Sequence, residues 1–481
     1  MLAVEYKWSE IDELVSPCVA GERKNKTVVT QTQTKITKKP IPSIKEPPLV
    51  GSLLKYGRDR LDVYLRVTQE CGDVGSFHFG PIPLVIFNTS EYVHNIFVEH
   101  AYDFDKGEAI HNAFRPVIGN GIFTSEGAFH RQQRKLIAPS FQPRQIAGYA
   151  DTMVKYSEQI QQGWRDGETV DVSYKMTQLT MSIVGKVLFD ANVFTEADEL
   201  GAAMSTVLGH VTHTLSTLFP IPLSWPTPRN RHTRLAIAVL RGRIQKMIAE
   251  RQASTEERND LLSILLQARG EDGSRMGDEQ ICDESLTLFG AGHETTATAL
   301  AWAWYLLATH PDIYRNMQQE VDSALQGAAP TYADLVRLPY TLQVFKETMR
   351  LYPPAYGISR AALHDIEIDG YFIPKNGYVV VCPYTLHRRQ DYFPEPEKFD
   401  PQRFTPENEK RLPRYAYMPF GAGPRICIGN HFAMMEGHLL LATLAQRVAF
   451  ELVGGQQIVP DPNVNLTIRP KFGVKMIVRR R

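Results

Sequence analysis

The sequence lacks a charge excess. Lys plus Arg and Asp plus Glu both number 53 in 481 residues, so the formal net charge is zero. Binding to a phosphate backbone draws on a basic surplus, which excludes nucleic acid as the main partner and leaves room only for a local basic patch. Cysteine is scarce as well. Cys18, Cys71, Cys282, Cys382 and Cys427 are scattered and odd in number, which is no disulfide framework and fits a reducing compartment. Long apolar runs are missing. The best, residues 297–308, falls short of the ~20 residues that a membrane span needs. Upstream of it stand Asp283, Glu284, His293 and Glu294. The first residues show neither the charged start nor the apolar core of a signal peptide. These absences predict a soluble, cytoplasmic chain with no transmembrane anchor.

What is present is ordinary for a globular protein: 43% hydrophobic and 22% charged residues. Residues 1–46 differ from the rest. WSEIDELV, residues 8–15, reads as a short amphipathic turn or two, and residues 23–45 are rich in Lys, Arg, Thr and Gln with no acid. An acid-poor transit peptide and a solvated, extended tail both fit this composition, and the tail is the reading kept. Pro47-Pro48 then opens the folded part. From Gly51 the pattern is mostly helical. Residues 74–80 and 83–88 read as a hairpin around a Gly-Pro turn. Helices dominate 127–350, and strands return at 366–382, where Asp369-Gly370 and Asn376-Gly377 are hairpin turn signals. FGVKMIVRR closes the chain as a strand. No second linker follows residue 50, so residues 47–481 read as one domain, mainly α with small β-sheets.

One cysteine stands apart. Cys427 lies in FGAGPRICIG, residues 420–429, and the helical stretch NHFAMMEGHLLLATLAQRV follows at once. No second Cys or His stands near it at zinc-finger or iron–sulfur spacing, and those sites need several ligands. A lone thiolate suits a haem whose single axial ligand is cysteine. The helix behind it aims its positive end at the sulfur and favours the thiolate that metal binding requires. Gly421, Gly423 and Gly429 let the backbone approach a flat macrocycle, and backbone N–H groups can then bond to sulfur. Arg425 is placed to pair with a haem propionate. The other reading of a free cysteine is a small buried hydrophobe.

Residues 277–309 read as one long helix with AGHETT, residues 291–296, in its middle. Glycine there costs about 1 kcal/mol against alanine. A threonine hydroxyl bonding back to the preceding turn bends a helix. The cluster therefore predicts a kink or π-bulge, features that gather at functional sites. Helical spacing sets Ala291, Gly292, Thr295 and Ala299 on one face, where small residues leave room for a flat group. Thr295 would offer a hydroxyl to dioxygen and Glu294 would pass protons inward. A glycine packing notch beside an ordinary Glu is the alternative. His293 reads as a packing or surface residue. Further on, Glu347 and Arg350 share a helix face before Leu351, Tyr352, Pro353 and Pro354 end the helix. FDPQRF follows at 399–404. Taken alone, such an E-x-x-R pair is usually a surface pair of small worth. His130 and Arg134 stand four apart in GAFHRQQRKLIAPSF, residues 127–141, where a lone His is often only packed.

As an ordered set from Gly127 to Gly429, these motifs resemble the cytochromes P-450, and the resemblance covers residues from about 47 to the C-terminus. PTPRN and FAMMEG point within the family to soluble bacterial members that resemble fatty-acid hydroxylases. The resemblance implies a mainly helical fold with haem b, iron protoporphyrin IX, between the long central helix and the Cys loop. Cys427 would ligate the iron in a loop shaped by Phe420 and Gly429. His130, Arg134, Arg360 in GISR and Arg425 would meet the propionates. Most long-chain members carry Trp where His130 stands, and the H-x-x-x-R version is familiar from bacterial members. Glu347, Arg350 and Arg403 would form a buried triad bracing the cysteine side.

The activity implied is insertion of one atom of dioxygen into a lipophilic substrate, a fatty acid or terpenoid. By analogy, Phe114, Ile122, Phe289, Ala291, Ala355, Tyr356 and Leu466 would face it. Only a short stretch follows Cys427, so electrons are expected from a separate ferredoxin or flavodoxin with its reductase. Such a partner would dock on the cysteine side near Arg131 and Lys135. Two other functions stay open: a haem-thiolate peroxygenase or isomerase that needs no reductase, and a non-catalytic haem sensor. The Glu294–Thr295 pair speaks against the first and the small-residue face against the second.

Overall fold

The computed structural model describes residues 39–481 apart from 48–49, 192–195, 257, 259, 270–272, 274 and 462–465. The amphipathic turn expected at 8–15 lies outside them. Of the tail expected over residues 1–46, the structure describes residues 39–46. Lys39 N–H donates to Gly370 O at 2.9 Å and Ser76 N–H to Pro42 O at 2.8 Å. Ile44 is buried with Leu61, Val63 and Tyr64. Residues 39–46 are therefore laid along the sheet, because Ile44 has an apolar seat and the backbone has strand partners there.

Helix α1 (Arg60–Cys71) leads into the hairpin β1 (Val74–Phe79) and β2 (Ile82–Phe87), paired from Val74–Phe87 to Phe79–Ile82. Gly80, at φ 60, supplies the turn that a side chain would resist. Strand β3 (Phe104–Asp105) precedes α2 (Gly107–Ile118) and α3 (Gly127–Ile137). Then come β4 (Thr169–Asp171), α4 (Val172–Phe189), α5 (Ala197–Leu215), α6 (Pro228–Ala253), α7 (Asp278–Thr309) and α8 (Pro339–Leu351). Strands β5 (Ile358–Ala362), β6 (Ile366–Ile368), β7 (Tyr371–Ile373) and β8 (Tyr378–Val381) follow. Helix α9 (Asn430–Arg447), β9 (Val448–Leu452) and β10 (Lys475–Arg480) complete the order.

The sheets run β1-β2-β8-β5-β3, β4-β10-β9 and β6-β7. Asp369 and Gly370, both at positive φ, make the β6–β7 hairpin as expected. Asn376-Gly377 does not make the second one. After it, β8 pairs with β2 and β5. The VVV of β8 is buried and takes the central place between two neighbours, where both faces are covered.

Helix α7 is apolar around most of its circumference, as a helix in the middle of a core must be. Asp278 and Glu279 in its first turn suit the positive helix end. It packs against α4, α6, α8 and α9. Trp302 lies flat on Tyr352 at 3.8 Å between ring centres, and its ring N–H donates to Ile468 O at 2.6 Å. One fully buried side chain thus ties α7, the end of α8 and the C-terminal segment together. Burying a side chain of that size is worth about 3 kcal/mol or more.

Candidate active site

The Cys loop sits at the head of α9. Cys427 N–H donates to Phe420 O at 2.9 Å, which folds 420–427 back on itself. Gly421 and Gly423 have φ of 75 and 68. A Cβ at Gly423 would overlap the Phe97 carbonyl, so only glycine fits there. Phe420 packs its ring on the main core. Gly429 caps α9 and its N–H donates to the Cys427 sulfur. Burial pushes the thiol up, and the Gly429 N–H and Arg134 pull it back down. Cys427 is nevertheless exposed, unlike the buried Cys282 and Cys382.

A basic cluster rims the loop. Arg134 Nη1 donates to Ile426 O at 2.8 Å. Arg425 Nη1 donates to Ser125 O at 2.7 Å, and its other nitrogen pairs with Glu126. The cations weigh on one another. Burial and Arg425 push Arg360 down to about 10. Burial, Arg425 and Lys106 push His130 down to about 3, so its ring is neutral. Burial, Arg360 and Arg425 lower Lys106. Against these groups stand the acids Glu126 and Asp105. Such a surplus in a desolvated place suits a ligand carrying two carboxylates, and one exposed cysteine at a helix N-terminus suits its iron. The residues present fit haem. Lys106 and Glu126 were not legible in the sequence, because neither belongs to a spaced motif.

Across α7, Ala291 is exposed and Thr295 half-buried although Phe289, His293 and Glu294 beside them are buried. This helix face borders open space. Thr295 Oγ1 donates to Ala291 O at 3.0 Å. The expected π-bulge is absent: α7 runs as α-helix from Asp278 to Thr309. Gly292 does not share the open face either. A Cβ there would stand 3.1 Å from Val184 on α4, so it is a helix-packing glycine. Ala299 is buried as well. His293 is a packed residue, its Nδ1 2.7 Å from Phe289 O.

Glu294 points to the other side. It pairs with Arg469 and accepts from Thr467 Oγ1 at 2.8 Å. With Arg469 it borders a cavity of about 400 Å³ that reaches Tyr174, Asp198 and Ser205. Thr467 and Arg469 escaped sequence reasoning because they lie far away in the chain and in no motif.

The sequence model described as "Cytochrome P450" matches residues 41–476. The chain belongs to the cytochrome P450 family. It is 36% identical to cyclooctatin synthase of Streptomyces melanosporofaciens over 88% of this chain and 92% of that one. It is 32% identical to pentalenene oxygenase of Streptomyces avermitilis over 82% and 88% of the two chains. The solved structure of cyanobacterial CYP120A1 with bound retinoic acid matches at a TM-score of 0.82 and 27% identity, covering 92% of this chain and 99% of that one. The protein is accordingly a haem-thiolate monooxygenase with haem b as its cofactor, taking a lipophilic substrate, dioxygen and electrons from a redox partner. None of its described helices is long and apolar enough to cross a membrane.

In this cytochrome P450 the Glu347, Arg350 and Arg403 side chains meet in one buried cluster. Arg350 grips Glu347 with two bonds, at 2.7 and 2.8 Å, and both residues are fully buried. Arg403 Nε stands 3.4 Å from Glu347 Oε1, and Asp400 N–H donates to the same oxygen at 2.9 Å. The cluster reaches the Cys loop through a residue the motifs do not name. Arg350 Nη1 donates to His387 O at 2.9 Å, and the His387 ring accepts Met418 N–H at 2.9 Å. Met418 O accepts Gly421 N–H at 3.1 Å. Burial and Arg350 push His387 down to about 3, which keeps its ring a neutral acceptor.

The residues expected to face substrate do not form one wall. Phe114 packs on Phe123 at 4.7 Å between ring centres, and Ile122 is buried beside them in the core. Ala355 and Leu466 are half-buried. Phe289 turns away from the open Ala291 face, against Phe189 and the His293 ring, because two residues along a helix are rotated by more than a right angle. Tyr356 is buried against Tyr64, with its hydroxyl taking a bond from Arg60 Nη1 at 3.3 Å. Both rings thus rest on neighbouring side chains.

Proposed function

We propose that this cytochrome P450 oxidises a C–H bond of a terpenoid in the cytoplasm, with electrons from a separate ferredoxin or flavodoxin. The observation that carries the reading is the exposed Cys427 at the N-terminus of α9, ringed by Lys106, His130, Arg134, Arg360 and Arg425. The names of the relatives favour a terpenoid over a fatty acid.

When bound, the haem supplies reductive activation of dioxygen and transfer of one oxygen atom to substrate. The chain's own residues do the rest. Cys427 would hold the iron, its charge favoured by the Gly429 N–H and by Arg134. The basic rim would bind the propionates. With the group bound, Thr295 would turn its hydroxyl from Ala291 O towards the dioxygen side of α7. Glu294, held by Thr467 and Arg469 at the cavity behind the helix, would take up protons there and pass them inward. Glu347, Arg350 and Arg403 hold the Cys loop through His387 and Met418. The redox partner meets the protein where Arg131 and Lys135 project from α3.

A carbon-monoxide difference spectrum of the reduced protein, followed by spin-state titration with a panel of cyclic terpenoids and fatty acids, tests this. Thiolate ligation and tight terpenoid binding are expected. A spectrum of histidine-ligated haem sinks the ligand assignment, and fatty acids binding far better than terpenoids sink the substrate class.

A further inference from the structure

Segment 119–124 joins α2, which carries Phe114, to α3, which carries His130 and Arg134. It is fastened to α7 by bonds that the haem and oxygen chemistry above do not use. Asn120 N–H donates to Asp283 Oδ2 at 2.8 Å and Ile122 N–H donates to Glu284 Oε2 at 2.7 Å. Gln280 Nε2 donates both to Asn120 O at 3.1 Å and to Glu284 Oε1 at 2.9 Å. Asp283 also accepts from Arg241 Nη1 of α6 at 2.7 Å, and Arg115 Nη2 of α2 donates to Thr124 O at 3.2 Å. Glu284 and Asp283 are 0% and 6% exposed. The chain is shaped for the contact. Gly119 has φ 67, and a Cβ on it would overlap the Asp283 carboxyl. A Cβ on Gly121 would stand 2.8 Å from Asp283 O and overlap the Thr287 hydroxyl.

We propose that Asp283 and Glu284 form a latch that clamps segment 119–124 to α7, that the latch opens to admit substrate beside Phe114 and Ile122, and that opening becomes easier as pH rises through neutrality. The substrate part rests on the function proposed above; the latch itself rests on the bonds alone.

The sign of the pH effect follows from which form holds its proton more tightly. Burial pushes the latched Glu284 up to about 7, with Asp283 adding to the rise and the Ile122 N–H and Gln280 opposing it. The charged groups around it are Asp283 and Glu279 on α7, with the Cys282 thiol, then Arg241 on α6 and Arg115 on α2. Segment 119–124 itself carries no titratable side chain. Once open, Glu284 meets water and returns towards its ordinary 4.5. The latched form therefore keeps its full advantage below that value and loses it as pH climbs through about 7. From about pH 6 to about pH 8 the open population grows about tenfold.

Amide hydrogen exchange at Asn120 and Ile122 reads the latch in the haem-loaded, substrate-free enzyme, after correction for intrinsic exchange. The wild type is expected to lose about tenfold in protection between those two pH values. Glu284→Gln stays neutral and still accepts the Ile122 N–H, so its protection is expected to be flat with pH. Substrate on-rates, followed by the spin-state change, are expected to rise with pH in the wild type and not in Glu284→Gln. Wild-type protection that ignores pH, or a variant that keeps the full dependence, overturns the latch. On-rates that run parallel in the two proteins overturn its gating role. The exchange result does not bear on whether the substrate is a terpenoid, since that measurement contains no substrate.

Discussion

Glu436 shows most sharply how a single residue can cost the fold. It is fully buried in α9, and neither carboxyl oxygen has a hydrogen-bond partner among the described residues, although Thr296 lies beside it. Burial pushes it up to about 8. The unfolded carboxyl titrates near 4.5, so the folded state is unpenalised below that pH and increasingly penalised as pH rises to about 8. Glu436→Gln removes the ionisation, and its melting temperature is expected to pull ahead of the wild type between about pH 5 and pH 8. A difference that stays constant over that range refutes the buried titration. Thr295→Ala bears on chemistry instead. Oxygen and reductant consumption are expected to persist while product per electron pair falls about tenfold or more. Full coupling in that variant removes Thr295 from proton delivery. Residue types with a fixed spacing, such as Cys427 or Glu347 with Arg350, were legible because the spacing itself is the signal. Arg469 on Glu294 and Glu126 on Arg425 were not, since only the folded chain brings partners 175 and 299 positions apart into contact.

At the scale of elements, local rules held where a neighbour did not overrule them. The Asp369-Gly370 hairpin formed because both residues take positive φ and short strands flank them. The identical reasoning at Asn376-Gly377 failed, because β8 gains more by lying between β2 and β5 than by pairing with β7. The AGHETT stretch was expected to put a kink or π-bulge in α7. Instead Gly292 seats the helix on Val184, and the Thr180 hydroxyl of α4 donates to His293 O at 2.9 Å. Both contacts fasten this stretch of α7 to α4. The Cys loop is the opposite case, an element that cannot relax. Gly423→Ala adds backbone strain of about 1–3 kcal/mol at a positive φ and a collision with the Phe97 carbonyl. The variant is expected to fold with native far-ultraviolet circular dichroism yet retain haem poorly, measured as the ratio of haem to protein absorbance after gel filtration. Normal haem retention shows that the loop can move aside.

For the whole molecule, zero net charge says little about docking, because a partner meets one face and not the average. Helix α3 presents two faces with different work. His130 and Arg134 turn inward to the Cys loop side, while Arg131 and Lys135 lie exposed on the outside. A negatively charged electron carrier drawn to the outer face would stand one helix thickness from the group the inner face holds. Steering of this kind acts through solvent, so it fades as the screening length falls to about 10 Å at 0.1 M salt and about 3 Å at 1 M. The second-order rate of reduction by an acidic ferredoxin is therefore expected to drop about tenfold or more across that range. Arg131→Glu is expected to slow the reaction at low salt and to match the wild type at high salt. The spin-state response to substrate should be unchanged, since Arg131 touches neither the Cys loop nor α7 and its guanidinium rests over Tyr102 at 5.8 Å. A reduction rate indifferent to salt in both proteins places the electron carrier on another face of the molecule.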